Sequence, residues 1–338
     1  MNEVFICPSN IKSNSEISIT GSKSESNRLL IINALYSNIE LLNLSNSDDT
    51  KVLTKALSNL SGQIDIHHAG TAMRFLTAFL AQIEDREFVI TGSARMQERP
   101  IGILVDSLNE LGFEVTYLDK KGFPPLKIIG KKNIKSEIKL NSTVSSQYIS
   151  ALMLIAPSFE NGLKIILEGQ IISKPYINLT LNILKKIGVK CSFKKNIIEI
   201  KNHSKSKISQ YTVESDWSSA SYFYSIVSLL DNVTITLSNF FDNSFQGDSK
   251  VSKIYESFGV NTTYKENTIR LTKMENYSKP DSLEFDLLEN PDLAQTISVT
   301  ALCMGIPLVL NGLQTLKIKE TDRIIALQNE LSKFGANV

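Results

Sequence analysis

The 338-residue chain carries 36 basic and 35 acidic residues, and its formal charge of +1 excludes a charge-driven grip on nucleic acid or an anionic membrane surface. A hydrophobic content of 42% with 21% charged residues is that of a globular protein long enough for two cores. Cys7, Cys191 and Cys303 are scattered and make no ligand spacing with His67, His68 or His203, so the expectation is free thiols in a reducing compartment and no metal.

The first informative stretch is 20–31, Thr-Gly-Ser-Lys-Ser-Glu-Ser-Asn-Arg-Leu-Leu-Ile. A turn at Gly21 and Ser22 delivers Lys23, Ser24 and Arg28 to the first turn of an apolar helix. A helix start has unpaired N–H groups and the positive end of the dipole, so it draws anions. Two cations and several hydroxyls beside it point to a phosphorylated small molecule; plain capping with solvated charges is the alternative.

Similar starts follow down the chain. Residues 69–80 (AGTAMRFLTAFL) place Gly70 and Thr71 at a helix start with Arg74 one turn in. A buried helix with a single Arg commonly pairs it with a carboxylate. In 95–102, Arg99 precedes Pro100, whose ring suits the first helical position, so Arg99 reads as a cation at a helix start or as a partner of Glu98. Ser145, Ser146 and Gln147 are neutral donors opening an apolar helix, and Ser173, Lys174 and Tyr176 form a similar turn. Trp217–Ile226 and Pro291–Leu302 open two more buried helices, the second with Asp292 at its cap. Lys319, Glu320 and Arg323 (KETDR) then read as the last helix, with Lys319 and Arg323 on one side.

A second element recurs between these starts. An amphipathic helix ends in a glycine, at 112, 188, 259 and 335, and runs into a strand. Short β-branched or alternating runs lie at 126–129, 164–168, 197–201, 233–237, 269–272 and 307–310. The unit is βαβαββ, present about five times, with the first copy shortened. A polar, Ser/Lys-rich segment at 201–211 marks a boundary. The expected domains are 22–213, and 1–21 plus 214–338, with the N-terminal strand joining the second half. Because Val338 lies just past the fifth amphipathic helix, the expectation is a chain cut short of its closing strands.

Only seven of the 36 basic residues are arginines, and Arg28, Arg74, Arg95, Arg99 and Arg323 all fall in these motifs. A planar, permanently charged fork suits carboxylate or phosphate. No G-x-G-x-x-G, Walker loop, G-x-S-x-G or metal motif occurs. The inferred chemistry holds anionic substrates by Lys, Arg and hydroxyls and moves protons with carboxylates.

Seven stretches, GSKSESNR, AGTAMR, RMQERPIG, TVSSQ, SKPY, PDLAQT and KETDR, stand in this order along the chain. Their set and order resemble the 5-enolpyruvylshikimate-3-phosphate synthase (3-phosphoshikimate 1-carboxyvinyltransferase) family. The resemblance implies an α/β (α+β prism) fold, the two-domain enolpyruvyl transferase architecture or inside-out α/β barrel, with five of six βαβαββ units present. It implies transfer of the enolpyruvyl group of phosphoenolpyruvate to the 5-hydroxyl of shikimate 3-phosphate, with no cofactor, in the cytoplasm of a bacterium, by a monomer that binds neither nucleic acid nor membrane.

By the same resemblance, Lys23, Ser24, Arg28, Ser145, Ser146, Gln147, Ser173, Tyr176, Asp292 and Lys319 hold shikimate 3-phosphate. Lys23, Gly70, Arg99, Gln147 and Arg323 hold phosphoenolpyruvate. Asp292, Glu320 and Lys23 serve the proton transfers. The chain departs from the family's pattern at His68, where Asn is usual, at Phe75, where Pro is usual, and at Thr315, where an Asn often helps bind the phosphorylated substrate. The changes near Gly70 bear on sensitivity to the family's inhibitor, glyphosate. The family's later Asp-His-Arg motif and a final Lys are absent, so this chain alone is expected to be weak or inactive. The alternatives are the related UDP-N-acetylglucosamine enolpyruvyl transferase, which relies on a loop Cys, and a non-catalytic anion-binding module.

Overall fold

The computed structural model describes residues 11–36, 38–141, 145–169, 171, 174–319 and 321–338. Three four-stranded sheets repeat one plan. In the first, Gln63–Asp65 pairs parallel with Glu87–Thr91 across the helix Gly70–Ala81, and Leu126–Ile129 and Glu114–Tyr117 add antiparallel. In the second, Glu137–Asn141 and Leu163–Glu168 make the parallel pair around the helix Ser146–Ile155, and Ile197–Ile200 and Cys191–Lys194 close it. This is the βαβαββ unit inferred from the sequence. The parallel pair needs a crossover, which the buried helix provides.

The third sheet shows how the two ends of the chain interlock. Thr234–Ser238 takes as its parallel neighbour the N-terminal strand Ser15–Ser18, while Thr268–Lys273 and Val260–Lys265 pair antiparallel. Strand Gln210–Thr212, which immediately precedes the helix Trp217–Leu229, pairs instead with Glu40–Leu42. The chain therefore crosses twice, and the crossing segments meet side by side. Gly21 bridges Ser215, the Ser22 amide donates to the Glu214 carbonyl at 2.8 Å, and the Asp216 amide donates to the Thr20 carbonyl at 3.1 Å. A side chain at Gly21 would stand 1.9 Å from the Asn43 carbonyl oxygen, so only glycine fits this crossing. The fifth unit begins with Leu283–Asp286 parallel to Leu308–Asn311 around the helix Ala294–Met304.

Apolar side chains gather in two clusters. One runs from Leu29 to Val213 and the other from Trp217 to Leu316, with Ile17 and Ile19 packed against the second. The helices Gly70–Ala81 and Ser146–Ile155 are buried along almost their whole length, as their dense apolar residues require. Each buried Leu or Ile there contributes about 2 kcal/mol. The repeat glycines Gly112, Gly188 and Gly259 have φ of 103°, 105° and 79°, the left-handed turn that redirects helix into strand, and Gly335 has the same conformation at 84°.

Several local expectations are corrected. Pro100 is not at a helix start: the following helix is Gly102–Glu110, capped by Ile101, so Arg99 lies in the connection after the short helix Ala94–Gln97. Glu98 pairs with Arg95 at 2.9 Å rather than with Arg99. Lys319 is not on the last helix. It ends the 3-10 turn Gln314–Ile318 in an extended conformation, and the helix Arg323–Ser332 starts later, capped by Asp322. Asp292 does not cap its helix; it lies inside the 3-10 turn Pro291–Leu293. Its carboxylate is thereby released from the backbone for side-chain partners.

Candidate active site

A cleft of about 810 Å³ draws its walls from both apolar clusters. It is lined by Lys23, Ser24, Arg28, Gly70, Arg99, Ser145, Ser146, Gln147, Tyr176, Asp292, Lys319 and Arg323, twelve of the fourteen residues singled out in the sequence. The other two, Ser173 and Glu320, lie outside the described residues.

The cations in this cleft are of two kinds. Arg28 is buried and committed to the protein. Its Nε donates to Thr180 Oγ1 at 2.7 Å, Nη1 to the Ser24 carbonyl at 2.7 Å, and Nη2 to Ser150 Oγ at 3.0 Å and the Tyr176 carbonyl at 3.4 Å. Its charge lies 5.3 Å over the Phe75 ring, which gives the unusual Phe75 a partner. Burial lowers the Arg28 pKa to about 10. Arg74 is equally buried, but its partners are carbonyls, not the expected carboxylate. It donates to the Gly70 oxygen at 2.9 Å and the Pro100 oxygen at 3.0 Å. These two arginines fix the walls. By contrast, among the described residues the Lys23 ammonium and the Arg99 guanidinium have no hydrogen-bonding or ion-pair partner.

Gly70 governs where Arg99 can lie. A Cβ at Gly70 would stand 2.4 Å from Arg99 Nη1 and 3.0 Å from Arg74 Nη1, so the bare backbone lets Arg99 cross the helix start. On the neighbouring helix, Ser145 Oγ accepts from the Gln147 amide at 3.3 Å, and the Tyr148 hydroxyl donates to the Pro100 carbonyl at 2.5 Å. That bond ties the Ser145–Gln147 start to the Arg99 connection.

One carboxylate of the cleft, Asp292, is held by three side-chain donors. Lys319 Nζ approaches Oδ1 at 3.3 Å, Arg323 Nη1 donates to it at 2.8 Å, and the Tyr176 hydroxyl donates to Oδ2 at 2.9 Å. Burial pushes this carboxyl's pKa up, but Lys319, Arg323 and the Tyr176 hydrogen bond outweigh it and leave it below the ordinary aspartate value. Tyr176, buried and beside two carboxylates, is pushed well above the ordinary phenol. Asp292 is thus an ionised carboxylate and Tyr176 a neutral donor at neutral pH.

Asp248 went unnoticed in the sequence. It is buried behind Asp292, accepts from Ser218 Oγ at 2.5 Å and Asn290 Nδ2 at 3.4 Å, and its pKa is raised to about 7 by burial and then by the Asp292 charge. Its sequence surroundings, Asp-Asn-Ser-Phe-Gln-Gly-Asp-Ser-Lys at 242–250, are polar and carry no signal of burial. Among the described residues no group of three His, Cys, Asp or Glu could hold a metal ion, and no helix is long and apolar enough to cross a membrane.

The family model for EPSP synthase (3-phosphoshikimate 1-carboxyvinyltransferase) matches residues 61–338. The 3-phosphoshikimate 1-carboxyvinyltransferase of Bacteroides fragilis strain YCH46 is 47% identical over 336 residues, covering 99% of this chain and 81% of that protein. The enzyme of that name from Colwellia psychrerythraea is 34% identical over 357 residues, covering 97% and 82%. Among solved structures, an EPSP synthase from Acinetobacter baumannii superposes with a TM-score of 0.77 at 19% identity, over 96% of this chain and 79% of that one. A second structure of an EPSP synthase from that organism gives 0.63 at 15% identity, over 96% and 97%. The shared fold, the ordered motifs and the extent of these matches make this chain a member of the EPSP synthase family.

Proposed function

We propose that the cleft joins shikimate 3-phosphate and phosphoenolpyruvate, transferring the enolpyruvyl group to the 5-hydroxyl and releasing phosphate. The observation that carries this reading is the pair of cations Lys23 and Arg99, without a partner among the described residues, facing a cleft whose Arg28 and Arg74 are committed to the protein. Unbalanced positive charge among hydroxyl donors fits two small, multiply charged anions.

Ser145, Ser146, Gln147, Ser24, Ser173, Tyr176 and Lys319 would hold the phosphorylated ring, with Arg28 keeping Ser24 and Tyr176 in place. Gly70, Arg99, Arg323 and Gln147 would hold phosphoenolpyruvate, and Lys23 would face both. Asp292, ionised, takes the 5-hydroxyl proton as that oxygen bonds to C2 of phosphoenolpyruvate, and C3 gains a proton from Lys23 or Glu320. The tetrahedral intermediate then loses the C3 proton and expels phosphate, leaving the enol ether. Fixed donors aimed at the developing charge supply most of the stabilisation.

The two apolar clusters support a division into 22–213 and 1–21 plus 214–338. The family resemblance implies a monomer in a bacterial cytoplasm. Phosphate release from shikimate 3-phosphate plus phosphoenolpyruvate, together with detection of the enol ether, tests the function. Turnover with UDP-N-acetylglucosamine alone would replace it with the sister activity. Binding of both substrates without turnover would leave an anion-binding module. Sedimentation of the chain at micromolar concentration checks the monomer.

A further inference from the structure

Two buried polar atoms of the cleft wall, Gln295 Nε2 and Thr315 Oγ1, have no hydrogen-bond partner among the described residues. Gln295 follows Asp292 by three residues and lies on the first turn of the helix Ala294–Met304. Thr315 lies in the 3-10 turn Gln314–Ile318 that ends at Lys319, and this turn packs against Pro291–Leu293. Their neighbours are already satisfied. The Thr296 hydroxyl donates to the Leu293 carbonyl at 3.1 Å, and both Asp292 oxygens accept from Tyr176, Lys319 or Arg323. An amide N–H removed from water with no acceptor is costly, and a wall carrying such a group is built to meet an acceptor from outside the protein.

We propose that Gln295 is a further substrate-binding residue, donating its amide N–H to an oxygen of the phosphorylated ring substrate in the corner shared with Thr315 and Lys319. This rests on the enolpyruvyl-transfer reading above. The corner offers an amide, a hydroxyl and an ammonium, a donor set that matches a polyoxygenated anion. The amide adds direction to the charge of Lys319 without adding another cation next to Asp292.

Gln295→Met keeps the length of the side chain and removes the donor; Gln295→Glu replaces it with an acceptor. The expected result for Gln295→Met is a Kd and KM for shikimate 3-phosphate raised roughly tenfold, with KM for phosphoenolpyruvate unchanged. The ligand-free variant should melt no lower than the parent, because an unpaired buried amide has been removed. Gln295→Glu should weaken shikimate 3-phosphate binding further by repulsion. Unchanged Kd for shikimate 3-phosphate in both variants, or a loss of melting temperature with equal effects on both substrates, would overturn the proposal. Absence of turnover by the parent chain would overturn the transfer reading instead, and calorimetric titration with shikimate 3-phosphate would still decide the role of Gln295.

Discussion

The Tyr176 hydroxyl donates to Asp292 Oδ2 at 2.9 Å across 116 residues of sequence, joining the helix Lys174–Lys186 to the turn Pro291–Leu293. It is one of three donors that keep Asp292 ionised. Tyr176→Phe removes the donor without altering the ring. A donor to the charged form lowers a carboxyl's pKa, so its loss raises that of Asp292. The acidic limb of kcat/KM should move to higher pH, with a drop of about tenfold at neutral pH. A pH–rate profile for the variant checks this, and an acidic limb that stays put would remove Asp292 as the base.

Gly70→Ala would press a methyl group against Arg99 Nη1. The obstacle is the end of a flexible side chain, so Arg99 moves and folding is barely affected. The displaced fork no longer meets its anion in register. KM for phosphoenolpyruvate should rise at least about tenfold while shikimate 3-phosphate binding holds. Steady-state kinetics with each substrate varied in turn separates the two.

Arg74→Met removes the guanidinium donor from the buried Gly70 and Pro100 carbonyls, leaving Pro100 with the Tyr148 hydroxyl alone. The cost is on the order of 2–4 kcal/mol, read as a melting temperature several degrees lower. Because both carbonyls flank the Arg99 connection, KM for phosphoenolpyruvate should rise with it. Calorimetry and kinetics on the same preparation would show whether the two effects travel together.

Glu25 is buried beside the crossing segments, accepts from the Tyr211 hydroxyl at 2.7 Å, and its second oxygen has no hydrogen-bond partner among the described residues. Burial raises its pKa to about 7; the Tyr211 bond lowers it, and the nearby Glu214 raises it again. A carboxyl with a folded pKa above its unfolded one holds its proton more tightly when folded. Its stabilising contribution is complete below the unfolded value near 4.5 and is lost as pH climbs through about 7. Glu25→Gln should therefore be more stable than the parent by about 2 kcal/mol at pH 8 and no more stable at pH 4. Melting curves across this range check it, and a pH-independent difference would contradict it.

The sequence made the repeat legible because glycine geometry and apolar periodicity are local. Gly112, Gly188, Gly259 and Gly335 could be read as turns before any contact was known. The same locality misled at Pro100, Lys319 and Asp292, where helix-start patterns fall one to three residues away from the true caps. The partners of Arg74 were missed because carbonyl acceptors carry no residue-type signal. The N-terminal strand is legible as part of the second half, but Asp248, Gln295 and the return exchange that pairs 210–212 with 40–42 depend on which distant segments meet, and no spacing rule encodes that.

The exchange of those strands fixes an order of assembly. Ser15–Ser18 leaves the ribosome first, yet its partner strand is Thr234–Ser238, and the Ser18–Ser238 hydroxyl contact spans 220 residues of sequence. At roughly 5–20 residues per second, the strand waits on the order of ten seconds or longer before it can pair. Glu40–Leu42 waits similarly for Gln210–Thr212. Nascent chains arrested before Thr234 should leave residues 15–18 open to protease, and chains arrested well past it should protect them. The wall that bears Lys23 is thus synthesised early but sealed late, by the same stretch of chain that begins the opposite wall.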